Sequence, residues 1–127
     1  MSARAGGALF DAPTLLHNPR CSKSRAAKEL LDARGFTYRE RRYLEEPLNV
    51  EELAEVARRL GRPAREWVRA GEAAYREAGL SPASSDADIL QAMARVPVLI
   101  ERPILILADR AAVGRPPEKI AELLDEE

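Results

Sequence analysis

The chain has 127 residues, a formal net charge of −1, 46% hydrophobic and 32% charged residues, and only 5% aromatics. That length and apolar share suit one domain with its own core; they exclude global disorder, which needs low hydrophobicity together with high net charge. The balance of 20 basic against 21 acidic residues argues against general nucleic-acid binding, which requires a basic surplus to displace counterions.

No apolar run approaches the roughly 18 residues of a membrane span, so no membrane partner is expected. The Ala8–Phe10 patch is too short for a signal-peptide core, and a cytoplasmic protein is the expectation. A single cysteine, Cys21, excludes an intrachain disulfide. A single histidine, His17, beside it excludes the common zinc ligand sets, so no metal is expected.

In chain order, residues 1 to about 11 read as a flexible tail. Thr14 to His17 reads as a short buried strand stopped by Asn18-Pro19. A helix follows from Ser22 or Lys23 to Arg34, with Ala26, Ala27, Leu30 and Leu31 on one face and Gly35 as its left-handed stop. Phe36 to Leu44 alternates as a second strand near an edge, so strand, helix and strand form a crossover unit with parallel strands. Residues 49 to about 97 form a helical insert. Asn49 and Glu52 resemble an N-cap with its third-position acid, and Gly61 closes that helix. Pro63 starts a second helix carrying Trp67 and Val68 up to Gly71; a further turn spans Glu72–Ala78, and Ser85 with Asp88 opens another helix. Ile104 to Leu107 is a dense apolar run suited to a buried strand. Asp109-Arg110 turns it into an antiparallel partner, Ala111–Val113, and a last helix carries Ile120, Leu123 and Leu124 inward. The economical arrangement is a single α/β domain over residues 1–127, a mixed four-stranded sheet flanked by helices.

Chemistry concentrates at His17-Asn18-Pro19-Arg20-Cys21-Ser22-Lys23-Ser24-Arg25. Cys21 falls where a strand ends and a helix begins. Free N–H groups and the positive end of the helix dipole favour a thiolate there, and Arg20, Lys23 and Arg25 add positive charge. His17 either orients the loop and assists the thiolate or is a strand-end residue with a satisfied hydrogen bond; the residue types leave both open. Ser24 completes Cys-x-x-Ser, as a catalytic hydroxyl that donates to the sulfur or as an ordinary first-turn cap. Arg25 precedes Glu29 by one turn in the weaker order for an ion pair, which favours an anion-facing role.

Three separate signatures resemble the glutaredoxin-dependent arsenate reductase family of the thioredoxin superfamily over roughly residues 12–125. They are His17-Asn18-Pro19-x-Cys21-x-x-Ser24-Arg25, Arg102-Pro103-Ile104 and Gly114-Arg115-Pro116-Pro117-Glu118. The resemblance implies a thioredoxin-like fold, Cys21 as nucleophile, and Arg69, Arg102 and Arg115 as oxyanion ligands. It also implies that Pro103 is the cis-proline facing the cysteine loop. Arg65, four residues before Arg69 in the expected helix, competes for the third oxyanion position. The activity implied is reduction of arsenate to arsenite with no bound cofactor, glutathione acting as co-substrate and glutaredoxin as partner. With one thiol in the chain, the second must come from outside. Two other readings use the same residues: a Spx-like transcription regulator that binds RNA polymerase, and an orphan glutathione-dependent thiol reductase of the same fold.

Overall fold

The computed structural model describes residues 9–126. Four strands form one mixed sheet: β1 (Thr14–Leu16), β2 (Arg39–Arg41), β3 (Ile104–Ile106) and β4 (Ala111–Val113), in the order β2-β1-β3-β4. β1 pairs parallel with β2 and antiparallel with β3, and β3 pairs antiparallel with β4. Among the described residues, five α-helices accompany the sheet: α1 (Ser22–Ala33), α2 (Val50–Leu60), α3 (Ala73–Glu77), α4 (Asp86–Arg95) and α5 (Glu118–Asp125). The fold is thioredoxin-like, and the helical insert lies where the sequence puts it.

Period-two alternation in the two central strands divides the core. Leu15 and Leu105 face one side, where they meet Ala27 and Leu31 of α1 and Ile120 and Leu123 of α5. Leu16, Ile104 and Ile106 face the other, where the insert covers them with Leu53, Val56, Trp67, Met93 and Leu99. All of these side chains are at most 5% exposed.

Local signals explain the helix boundaries. α2 opens with a full capping box: Asn49 accepts from the Glu52 N–H at 2.8 Å, and Glu52 accepts from the Asn49 N–H at 3.0 Å. Gly61 ends it at φ 68°, and Gly35 takes the same φ just beyond α1. Ser85 caps α4 by accepting from the Asp88 N–H at 3.1 Å.

Four expectations need correction. β2 is only Arg39–Arg41, because pairing lasts only while β1 runs beside it; Tyr43 then turns into the core, where it is 1% exposed. Ser24, not Ala26, joins Ala27 and Leu31 on the buried face of α1. The expected helix around Trp67 is a single 3₁₀ turn, Ala64–Glu66, after which the chain extends and Val68 bridges Ile100 antiparallel. His17 and Leu107 lie just past the ends of β1 and β3.

Most of the expected tail lies outside the described residues, but residues 9–11 are anchored. Arg59, its side chain 9% exposed, donates to the carbonyls of Leu9 (2.8 Å), Phe10 (3.2 Å) and Leu107 (2.9 Å) while pairing with Glu55 at 2.6 Å. No helix among the described residues is long and apolar enough to cross a membrane.

Candidate active site

Cys21 is the N-cap residue of α1, in extended conformation at φ −96° and ψ 124°. Its N–H donates to the Asn18 carbonyl at 3.0 Å, and the Arg20 N–H donates to Asn18 Oδ1 at 3.0 Å, which folds the loop back under the sulfur. The side chain is partly exposed. Burial pushes the thiol up, yet the N–H groups of Ser24 and Lys23 and then the charge and donors of Arg102 outweigh it, and its pKa is lowered. The helix terminus and one arginine together favour the thiolate.

Ser24 and His17 sit beneath the loop, 0% and 3% exposed. Ser24 Oγ lies 2.8 Å from His17 Nδ1 and accepts from the Asn18 N–H at 3.0 Å. The hydroxyl therefore braces the loop against the strand end, and its bonds go to His17 and Asn18 where the sequence left room for a donor to sulfur. Burial first, then the positive charges of Lys28, Arg42 and Arg25, lower the His17 pKa against the opposing pull of Glu40. Arg25 is exposed and donates to the Pro19 carbonyl at 3.0 Å, so it closes the loop from outside.

Across from the cysteine, Arg102-Pro103 is a cis peptide, and Arg115-Pro116 is a second one that the sequence did not announce. Pro103 accepts from the Gly114 N–H at 2.8 Å, which brings the Arg102 and Arg115 segments together. The Val68–Ile100 bridge adds the third segment: Arg69 N–H donates to Leu99 at 2.7 Å and Glu101 N–H to Trp67 at 3.1 Å. Arg69 is thus placed by an extended pairing, while Arg65 stands exposed in the 3₁₀ turn.

The three arginines converge on one atom. Glu101 Oε1 lies 3.9 Å from Arg69 Nε, 3.8 Å from Arg102 Nη1 and 3.5 Å from Arg115 Nε. Arg69 also pairs with Glu72 at 2.8 Å. Glu101 Oε1, Arg102 Nε and Arg102 Nη1 are buried, and none of them makes a hydrogen bond. Beside them the Tyr43 hydroxyl is pushed up to about 12 by burial, against the downward pull of Arg102 and Arg69 and with further upward pressure from Cys21 and Glu101. A thiol, three guanidinium groups and a carboxylate therefore gather at one end of the sheet, within electrostatic reach of the Tyr43 phenol. Glu101 appeared in the sequence only as a neighbour of Arg102, and Tyr43 only as part of a strand. Beside this cluster, a 620 Å³ groove along β4 ends at Glu101 and Arg115.

The whole span of these segments, residues 16–123, matches the profile of the ArsC family. The chain belongs to the ArsC family. An arsenate reductase of Neisseria meningitidis serogroup A is 44% identical over 112 residues, covering 87% of this chain and 96% of that protein. An arsenate reductase of Haemophilus influenzae is 38% identical over 112 residues, covering 87% of this chain and 97% of the relative. The structure of an arsenate reductase from Vibrio cholerae superposes with a TM-score of 0.82 at 40% identity, over 87% of this chain and 95% of that one. ArsC membership accounts for the order of the three signatures, and the fold explains their spacing. The first signature caps α1, the second enters β3 and the third leaves β4.

Proposed function

We propose that this ArsC-family chain reduces arsenate to arsenite through an adduct on Cys21 resolved by glutathione and glutaredoxin. The observation that carries the reading is the pairing of a thiol of lowered pKa with Arg102, one of three arginines gathered at a single point. Guanidinium groups present forked N–H donors that match a tetrahedral oxyanion, and a thiolate beside them is placed for attack on its central atom. The relatives named arsenate reductase, matched over nearly their whole length, support the choice of arsenic.

In this mechanism the Cys21 thiolate forms an S–As bond to As(V), and one arsenate oxygen leaves as water after taking up protons. Arg69, Arg102 and Arg115 hold the remaining oxygens. A glutathione thiolate then attacks the adduct. Arsenic leaves as As(III), and the two electrons it gains come from two thiols, which end as a mixed disulfide between Cys21 and glutathione. A glutaredoxin thiolate takes the glutathionyl group and restores the Cys21 thiolate. His17 and Ser24 act by holding the loop, Arg25 by closing it, and Pro103 by bringing Arg102 opposite the sulfur.

The test is arsenite formation by the purified chain with arsenate, glutathione and glutaredoxin. Turnover is expected to need both thiol components and to vanish in Cys21→Ser, because the hydroxyl is a far poorer nucleophile at neutral pH. Efficient turnover on thioredoxin alone would defeat the glutathione and glutaredoxin scheme.

A further inference from the structure

Glu101 is an odd resident for an anion site. A carboxylate that merely neutralised three arginines would close on them to hydrogen-bond distance, about 2.7–2.9 Å. Instead Oε1 stands 3.5–3.9 Å from all three, buried and without a donor, while Arg102 Nε and Nη1 are buried without an acceptor. The arrangement leaves a buried acceptor and a buried donor, Glu101 Oε1 and Arg102 Nη1, unsatisfied and 3.8 Å apart. Buried polar groups in that state are costly, so a ligand that serves both kinds at once is strongly favoured. Such a ligand must carry negative oxygens for the guanidinium groups and an O–H for the carboxylate.

We infer that Glu101 is a specificity-determining residue that accepts a hydrogen bond from the protonated oxygen of the bound oxyanion and so admits arsenate- and phosphate-like anions while rejecting fully deprotonated ones such as sulfate. The inference rests on the arginines forming the oxyanion site proposed above, and it concerns which oxyanions they accept. At neutral pH arsenate and phosphate each keep at least one proton, whereas sulfate has none. Against sulfate, Glu101 Oε1 would face a bare anionic oxygen across a buried gap. Charge alone predicts no such preference, since at pH 7.5 hydrogen arsenate and hydrogen phosphate are mostly dianions, as sulfate is. The Tyr43 phenol, pushed up to about 12 by burial, stays neutral at neutral pH and adds no anionic acceptor beside Glu101, and the Glu72 carboxylate is already paired with Arg69 at 2.8 Å.

The test uses the sole cysteine as reporter. Iodoacetamide labelling of Cys21 is followed in the full chain at pH 7.5 with increasing inorganic phosphate, arsenate or sulfate. Phosphate and arsenate are expected to protect at concentrations roughly ten- to a hundredfold below sulfate, the value of one charge-assisted hydrogen bond. In Glu101→Gln the amide offers a donor as well as an acceptor, so sulfate protection should strengthen and the ratio fall towards one. Equal protection by phosphate and sulfate in the wild type overturns the inference without reference to any variant. So does an unchanged ratio in a folded Glu101→Gln protein. Phosphate preference without arsenite formation would retire the arsenate reading and leave the role of Glu101 standing. Arsenite formation without that preference would do the reverse.

Discussion

Cys21 owes its character to two neighbours of different origin, and they can be separated. The Ser24 and Lys23 N–H groups come with the helix start, whereas Arg102 arrives from the other side of the sheet. Iodoacetamide labelling against pH should therefore show a midpoint below the ordinary thiol value of about 8.5. Arg102→Lys keeps the charge and loses the fork, and Arg102→Gln loses both. The midpoint should rise in that order while the fold stays intact. A midpoint in Arg102→Gln equal to that of the wild type would remove Arg102 from the sulfur's surroundings. Arg115→Lys should instead weaken arsenate turnover with little change in the thiol midpoint, because Arg115 meets Glu101 and not the cysteine. At this scale the sequence was legible where a residue sat in a local pattern, as Cys21 does between a strand end and a helix start, whereas Arg102 before Pro103 and Arg115 after Gly114 stood out only through the family resemblance. Glu101 and Tyr43 were legible in neither way, because what marks them is the absence of a partner and the approach of distant segments. Neither leaves a period or a spacing in the chain.

Helix caps were legible to the residue, since Asn49-x-x-Glu52 and Gly61 state their chemistry locally. The Trp67 segment was not. Its apolar spacing suits a helix, but Val68 gains a strand-like bridge to Ile100 and Trp67 gains a fully buried seat, and those tertiary contacts override the local preference. That override also separates Arg65 from Arg69 in space, because the face shared by residues four apart exists only in a helix, and it is Arg69 that lies near Glu101. Between β4 and α5, Gly114 matters for space. A Cβ there would lie 2.9 Å from Pro103 Cγ and 2.8 Å from Ile120 Cδ1. The isoleucine tip can swing aside, but the proline ring cannot. Gly114→Ala should destabilise the protein by about 1–3 kcal/mol in urea unfolding followed by Trp67 fluorescence. It should also lower kcat/KM for arsenate, because Pro103 and Arg115 flank the clash. Ile120→Val, which removes the Cδ1 atom, should restore part of the stability and little of the activity. Full recovery of both would place the constraint on Ile120 alone.

The whole molecule carries its pH sensitivity in a few buried or tightly paired groups, and their windows are separable. His17 is 3% exposed, and its folded pKa lies below the unfolded value near 6.5. Below about pH 6.5 the unfolded chain therefore binds more protons than the native one. Stability is complete above that pH and falls as the pH drops through the lower folded value. Glu40, paired with Arg42 at 2.7 Å and Lys28 at 3.0 Å, and Glu55, paired with Arg58 and then Arg59, have lowered pKa values too. Their contributions are present above about pH 4.3 and are lost only below it. Cys21, lowered as well, adds a slope on the alkaline side of its folded value, up to about pH 8.5. Cys21→Ser removes that proton and leaves the histidine window in view. In that background, unfolding free energy from pH 6.5 to about 5 should fall with decreasing pH, by no more than one proton's slope of about 1.4 kcal/mol per pH unit. Adding His17→Asn should flatten this interval and leave the drop below about pH 4.3 in place, whatever the double variant loses in absolute stability. Urea titrations at half-unit steps of pH, read on Trp67, measure both. A slope that persists without His17 would mean that another group titrates there and that the brace under the cysteine loop is indifferent to protons.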